Sequence, residues 1–347
     1  MSETVLLGIV VTVLAGLVMG TSPWPLKLMR RFQYEHFAFP SMLVALVLIP
    51  WALTLALCPS PWAALARVEP MVLVKANALS LSWGIAQVLA LLCFVRIGVS
   101  LTYGILCAVG ASVGVITPMV FKASGAFADA PDLVSRAGGT VLVGVTVMVV
   151  GVFFASLAGY GREQRQSEGQ TDPSHRGGFT VGLIMVLVAG VLSAGWGFAF
   201  AYSQGPIVAA MKARGAGDFG ASIAVWAVSL QGAALANLSY PALIMTRKNS
   251  WRLLLDHPRD LSLAVLYGLL FFIPSALLGR GMVLLGPLGA SVGFGIVQGT
   301  LILGGQILGF VSGEWRGVTG RPRAHLYFAI ILLVVSMSIL ALANALA

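Results

Sequence analysis

The sequence predicts an all-α membrane protein: ten transmembrane helices in two inverted five-helix repeats. Three observations carry this expectation. Of the 347 residues, 58% are apolar and only 10% charged, with a mean hydropathy of +0.94; a soluble domain carries roughly 25% charge. The apolar residues fall into ten runs, each long enough for the ~20 residues a helical span needs. Short sequence words recur, in order, between the two halves. A soluble enzyme or a disordered scaffold is excluded. The net charge of +9, which in a soluble chain would suggest nucleic acid, here suggests loops facing anionic lipid.

The first run, residues 5–25, follows Glu3 with no cation before it, unlike a cleaved signal peptide; Lys27, Arg30 and Arg31 close it. The second covers 37–57 and the third 73–95, the latter with Lys75 at its start and Arg96 at its end. The fourth, 99–121, stops at Lys122. The fifth, 139–159, follows Arg136 and enters the most polar stretch of the chain, Gly159 to Gly178, which reads as a solvated linker. The sixth, 179–203, precedes Lys212 and Arg214; the seventh, 220–245, closes on Arg247 and Lys248. The eighth, 261–280, ends at Arg280, the ninth covers 287–311, and the tenth, 325–345, follows Arg316, Arg321 and Arg323. Solid runs of this kind differ from the alternating ten-residue segments of a membrane β-barrel.

Fourteen of the 21 cations lie on the side reached after the odd-numbered runs and seven on the other. The positive-inside bias therefore places both termini on the periplasmic side of a bacterial inner membrane. The linker divides the chain into residues 1–172 and 173–347, five runs each, so that the halves lie antiparallel. Gly8–Gly16 and Gly182–Gly190 share bounding glycines; GASVG occurs at 110–114 and 289–293; Gly84 and Arg96 are spaced like Gly268 and Arg280. Inverted repeats suit alternating access around a central site.

All twelve acidic residues and all four histidines lie outside the runs or at their ends, and Cys58, Cys93 and Cys107 lack metal-ligand spacing. The polar residues within the runs are amides (Asn77, Gln87, Gln231, Asn237, Gln298, Gln306) and tyrosines (Tyr103, Tyr202, Tyr240, Tyr267), with Trp24, Trp83 and Trp196. Such groups usually face the bundle interior. Amides both donate and accept, as hydroxyls do, and aromatic faces suit the C–H face of a sugar ring. Together they favour a small neutral solute, a sugar above all. Lys27, Arg96 and Arg280 are candidate gating cations at the ends of spans, with helix capping or snorkelling as the alternative.

Several words resemble the bacterial L-rhamnose–proton symporters. Pro25-Leu-Lys27-Leu-Met-Arg30-Arg31-Phe32-Gln-Tyr34-Glu35 is similar to the exit of their first helix, and Leu48-Ile-Pro50-Trp51-Ala52 with Pro59 and Trp62 to their second. Trp83-Gly84-Ile85 with Arg96, Ser193-Ala194-Gly195 with Phe198 and Ala199, and Asn237-Leu238 resemble the third, sixth and seventh; Gly304-Gly305, Glu314-Trp315 and Gly320-Arg321-Pro322 resemble the ninth helix and its exit. The resemblance implies the drug/metabolite transporter superfamily. In it helices 1, 3, 4, 6, 8 and 9 line the cavity, helices 5 and 10 are peripheral, and no cofactor is needed. It favours Trp83, Gln87, Tyr103, Trp196, Tyr202, Tyr267 and Gln298 as substrate-binding residues and assigns Gln231 and Asn237 to helix packing. The sequence departs from that pattern at Gly286–Gly293, where the symporters carry polar residues including an acid and this chain has none. Protons as a partner then depend on acids at the cavity mouth, Glu35 or Glu314. The expected function is alternating-access transport of a rhamnose-like sugar or similar neutral metabolite, with or without coupling to protons. An efflux carrier for metabolites or amphiphiles is the alternative. A membrane enzyme or assembly factor lacks the clustered acids and bases it would need, and an ATP-driven pump lacks a phosphate-binding loop. Oligomeric state is left open.

Overall fold

The computed structural model describes residues 3–97, 99–120, 132–166, 179–286 and 289–346. They are almost wholly helical. In chain order the long helices are α1 (Glu3–Thr21), α2 (Tyr34–Leu57), α3 (Pro70–Ile97), α4 (Val99–Val120) and α5 (Arg136–Gln166). Then come α6 (Phe179–Ser193 and, beyond Ala194, Gly195–Lys212), α7 (Asp218–Ser229 and Gln231–Arg247) and α8 (Pro258–Leu285). The last two are α9 (Phe294–Val311, led by a wide turn at Gly289–Gly293) and α10 (Arg321–Ala345). Among the described residues nine helices are long and apolar enough to cross a membrane, and α7, bent by 48°, makes a tenth. The boundary expected at residues 172/173 lies outside the described residues.

Neighbour relations are paired. α1 packs on α8 and α9, as α6 packs on α3 and α4; α5 lies along α10 and against α4, as α10 lies along α5 and against α9. Glycines permit the closest approaches. At the α1–α9 crossing Gly20 faces Leu301 O and Gly304, where any Cβ would overlap backbone. This is the small-residue contact through which membrane helices approach.

The bend in α7 departs from the unbroken run expected over 220–245, and its cause lies in α3. At Leu230 (φ −90°, ψ 2°) the helical ladder stops. The Asn77 amide spans the break: its Nδ2 donates to Val228 O at 3.1 Å, and its Oδ1 accepts from Gly232 N at 2.8 Å. Ser80 Oγ accepts from Ala233 N at 3.2 Å. Gln231 Nε2 donates to Ala227 O at 2.6 Å and to Leu46 O at 3.3 Å, and Asn237 Nδ2 donates to Ala233 O at 3.0 Å. With no water in hydrocarbon, a broken helix persists only where side chains satisfy the freed backbone groups. Two of the amides picked out in the sequence, Asn77 and Gln231, therefore hold helices together, while Asn237 bonds its own helix.

Replacing Asn77 with Leu removes both bridges. The expected cost is about 2 kcal/mol, from two backbone groups left unpaired. Thermal unfolding of the detergent-solubilised protein is expected to show a melting point several degrees lower; an unchanged melting point would show that the break needs no bridge.

Candidate functional site

Near the middle of the bundle, rings from five helices form one stack. Trp83 of α3 lies over Trp196 of α6 (centroids 6.2 Å apart, planes 28°) and beside Phe271 of α8 at 6.1 Å. Trp196 also stacks on Trp226 of α7 at 5.3 Å, and Trp226 meets Phe200 at 4.4 Å. Phe294 of α9 lies 6.4 Å from Trp196, in a slot between Gly114 of α4 and Gly197 of α6, where a Cβ on either glycine would strike its ring. Phe294 thus joins the second half of the chain to α4 and closes one end of the stack.

From Phe271 the rings continue toward the cation-rich face: Tyr267 at 6.2 Å, then Phe37 at 5.3 Å from Tyr267, then Tyr34 at 6.4 Å from Phe37. Tyr34 is within electrostatic range of Tyr103 and Tyr240, and Tyr267 of Tyr34 and Tyr103. Four tyrosines from α2, α4, α7 and α8 therefore face a common space. Tyr103 is 49% exposed, and we read the space it shares with Tyr34 and Tyr267 as a vestibule. Its floor is the Trp83–Trp196 pair.

Beside that floor are polar atoms with no partner among the described residues. The indole N–H groups of Trp196 and Trp226 are buried and unbonded. Gln87, one helical turn beyond Trp83, and Gln298, one turn beyond Phe294, are half-buried, and neither amide bonds to a described residue. In membrane helices such groups normally find partners, and here α3, α6, α7 and α9 each present one. They offer donors and acceptors beside stacked indoles, the pairing that a hydroxylated ring requires. No group of three His, Cys, Asp or Glu among the described residues converges to hold a metal.

The structure brings Trp83, Gln87, Trp196 and Gln298 near the floor and Tyr103 and Tyr267 into the vestibule, but it leaves Tyr202 apart. Six residues beyond Trp196, Tyr202 points about 240° around the helix, and its ring touches no other ring among the described residues. Sequence reading missed Trp226, Phe200, Phe271 and Phe294, which look like ordinary apolar residues. It also missed Tyr34, which stands beside a glutamate at a helix start.

The cations named as gates differ in setting. Arg96 Nη1 donates to Leu92 O of its own helix at 2.8 Å, and its stem packs on Gly182. Arg280 lies 3.8 Å from Asp218, which Lys212 also contacts at 2.5 Å. Lys27 donates to Glu314 and, at 2.7 Å, to Ser312 Oγ. Glu314 also takes Arg162 from the end of α5, and that guanidinium lies 5.2 Å above the Trp315 ring. One carboxylate thus ties the ends of α1 and α5 to the α9–α10 turn.

Two other acids at span ends are buried. Asp260 Oδ2 accepts from the backbone N–H of Arg30 (3.1 Å), Arg31 (2.7 Å) and Phe32 (3.2 Å), pinning the α1–α2 turn to the start of α8. Glu35 Oε1 lies 2.7 Å from Lys248 Nζ and joins α2 to the end of α7.

The family model for the L-rhamnose-proton symport protein (RhaT) matches residues 1–346. Similar proteins include the L-rhamnose-proton symporter of Shigella dysenteriae, 23% identical over 92% of this chain and 93% of its own length. That of Klebsiella pneumoniae is likewise 23% identical over 92% and 93%. That of Cronobacter sakazakii is 24% identical over 99% of both chains. The chain belongs to this transporter family.

The Glu314 tie has a defined pH window. Burial pushes its carboxyl up, but the Lys27 hydrogen bond and the Arg162 charge outweigh this and hold it below its ordinary value near 4.5. A carboxyl with a lowered folded value contributes stability above its ordinary value and loses it as pH falls through the lowered one. The melting-point difference between wild type and Glu314→Gln is expected to be constant from about pH 8 to 5. It is expected to disappear in stronger acid, at a size of about 1 kcal/mol for a part-exposed pair.

Proposed function

We propose that this member of the L-rhamnose-proton symport family carries L-rhamnose or a closely related sugar across the bacterial inner membrane, coupled to protons, by alternating access. The curated relatives are named for that sugar and that ion. The observation that carries the reading is the Trp83–Trp196 floor with the unpartnered Trp196 N–H, Gln87 and Gln298 beside it. A deoxyhexose has an apolar C–H face and methyl group for the indoles, and hydroxyls for the amides and the N–H. Arg280, Lys27 and the acids they contact lie at the two ends of the bundle, away from the floor.

The two halves act as inverted repeats, each supplying one side of the cavity; the paired packing of α1 with α8 and α9, and of α6 with α3 and α4, supports this. Both termini lie in the periplasm, by the distribution of cations. The tyrosine vestibule then opens to the cytoplasm, with Phe294 closing the periplasmic end. Glu314 and Asp218, with their cations, are the opposing gate ties.

Counterflow of radiolabelled L-rhamnose in proteoliposomes tests the site. Gln87→Ala is expected to weaken apparent affinity about fivefold, the worth of one hydrogen bond at about 1 kcal/mol. Trp196→Ala is expected to lower transport at least tenfold through loss of stacking. Both variants are expected to insert normally. Normal transport by both would place the solute elsewhere. Saturable transport of another solute, unaffected by L-rhamnose, would overturn the substrate.

A further inference from the structure

Among the described residues no carboxylate lies in the middle of a span, so a proton carrier is sought at the span ends. We propose that Glu35, with His36 beside it, is the site that holds the transported proton, and that the proton takes the place of the Lys248 ammonium. This rests on the proton-coupled reading above.

Among the described residues four carboxylates tie helix ends together, and they differ in how freely they can exchange a cation for a proton. Asp218 is more than half exposed. Glu314 is one-third exposed and held between two cations, on the side of the bundle where α5 and α10 pack. Asp260 is buried, but its three partners are backbone N–H groups that cannot swing away. Glu35 alone of the four is both buried, at 4% side-chain exposure, and paired with one flexible cation whose side chain is 51% exposed.

Its surroundings fit the task. The ionisable groups facing Glu35 are Lys248 from the end of α7 and, on its own helix, His36 and Tyr34. The groups around Asp260, including His257, face the α1–α2 turn instead. His36 is 1% exposed. Its Nε2 lies 3.2 Å from Ser250 O and 2.9 Å from Ser250 Oγ. A proton on Nε2 that donates to this carbonyl leaves the lone pair on Nδ1. Nδ1 is buried, has no hydrogen-bond partner among the described residues and lies 3.9 Å from Glu35 Oε1. An added proton therefore has two acceptors facing each other in a buried site. The preceding residue, Tyr34, lines the vestibule and opens a route from water.

The balance of charge is simple. With Lys248 engaged, carboxylate and ammonium sum to zero. When a proton binds Glu35 and Lys248 swings into water, the buried acid is neutral. The buried site therefore carries no net charge in either state, so the large cost of an unpaired ion in low dielectric is avoided throughout. Because Glu35 belongs to α2 and Lys248 to α7, separation of those helix ends trades the ammonium for the proton.

The full chain in proteoliposomes is tested with L-rhamnose in two assays, counterflow without a gradient and accumulation driven by a pH gradient. For Glu35→Gln the ratio of accumulation to counterflow is expected to fall at least tenfold. Wild type that accumulates nothing under a gradient would sink the coupled reading, whereas a coupled wild type with an equally coupled Glu35→Gln would overturn Glu35. Infrared titration of the protonated carboxyl band gives a second readout that needs no transport. In the wild-type minus Glu35→Gln difference a pH-dependent carboxyl component is expected, and in Lys248→Met that component is expected to appear at higher pH by a unit or more. The same titration in wild type and Glu35→Gln, or no shift in Lys248→Met, would also overturn the proposal.

Discussion

Hydrocarbon offers no water to an unpaired polar group, and that constraint organises this bundle. It allows backbone to cross only as helix, and it sets terms wherever a helix breaks. At Leu230 the terms are met by side chains: Asn77 and Ser80 of α3 and, from α7 itself, the Gln231 amide take over bonds the ladder gives up. Because these bridges are specific, α3 and α7 have one register against each other. That register holds Trp226 against Trp196 and, through it, the floor beneath Trp83. Against this background, polar groups left unbonded stand out. Trp196 N–H, Gln87 and Gln298 are among the polar groups left unbonded, and they lie near the stacked indoles.

The same constraint governs the charges. Three described carboxylates of the cation-rich face each join a different seam: Asp260 joins α8 to the α1–α2 turn, Glu35 joins α2 to α7, and Glu314 joins α1 and α5 to the α9–α10 turn. On the opposite face Asp218 joins the ends of α6, α7 and α8. Their partners fall into two kinds. Backbone N–H groups around Asp260 make a fixed joint. Lysines and arginines on long stems make joints that can open at small cost when their side chains reach water. A bundle that rocks between two openings needs both, a pivot that keeps its contacts and ties that release them.

Ten spans, most of their boundaries to within a few residues, and the helix-bridging role of Gln231 were legible from runs, amides and resemblance, whereas α5 and α6 run on past the expected ends at 159 and 203 to Gln166 and Lys212. The bend in α7 was not, because Trp226 to Leu235 reads as one apolar run and the cause of the break, Asn77, lies some 150 residues earlier. Trp83 and Trp196 were legible as deep aromatics. Trp226, Phe200 and Phe294 were not, since an apolar ring in an apolar run carries no mark of its neighbours. Tyr202 was readable as doubtful from helical geometry alone, being turned well away from Trp196. The burial of Glu35 and Asp260 was beyond reach: an acid at a span end has the same sequence signature whether it meets headgroups or another helix.

A chain with 10% charge first suggests only that it lives in lipid. The arrangement of those charges narrows how it works. A cargo crossing a low-dielectric bundle is cheapest when neutral, and a sugar between indoles and amides is neutral throughout. A proton is not, unless it is bound where its charge is cancelled. Glu35 meets that condition by trading one cation for another, so the buried part of the cycle carries no net charge with the proton bound or without it. Scarcity of charge and proton coupling are then compatible. What a symporter of this kind requires is not a carboxylate at the midplane but a buried one with a partner free to leave.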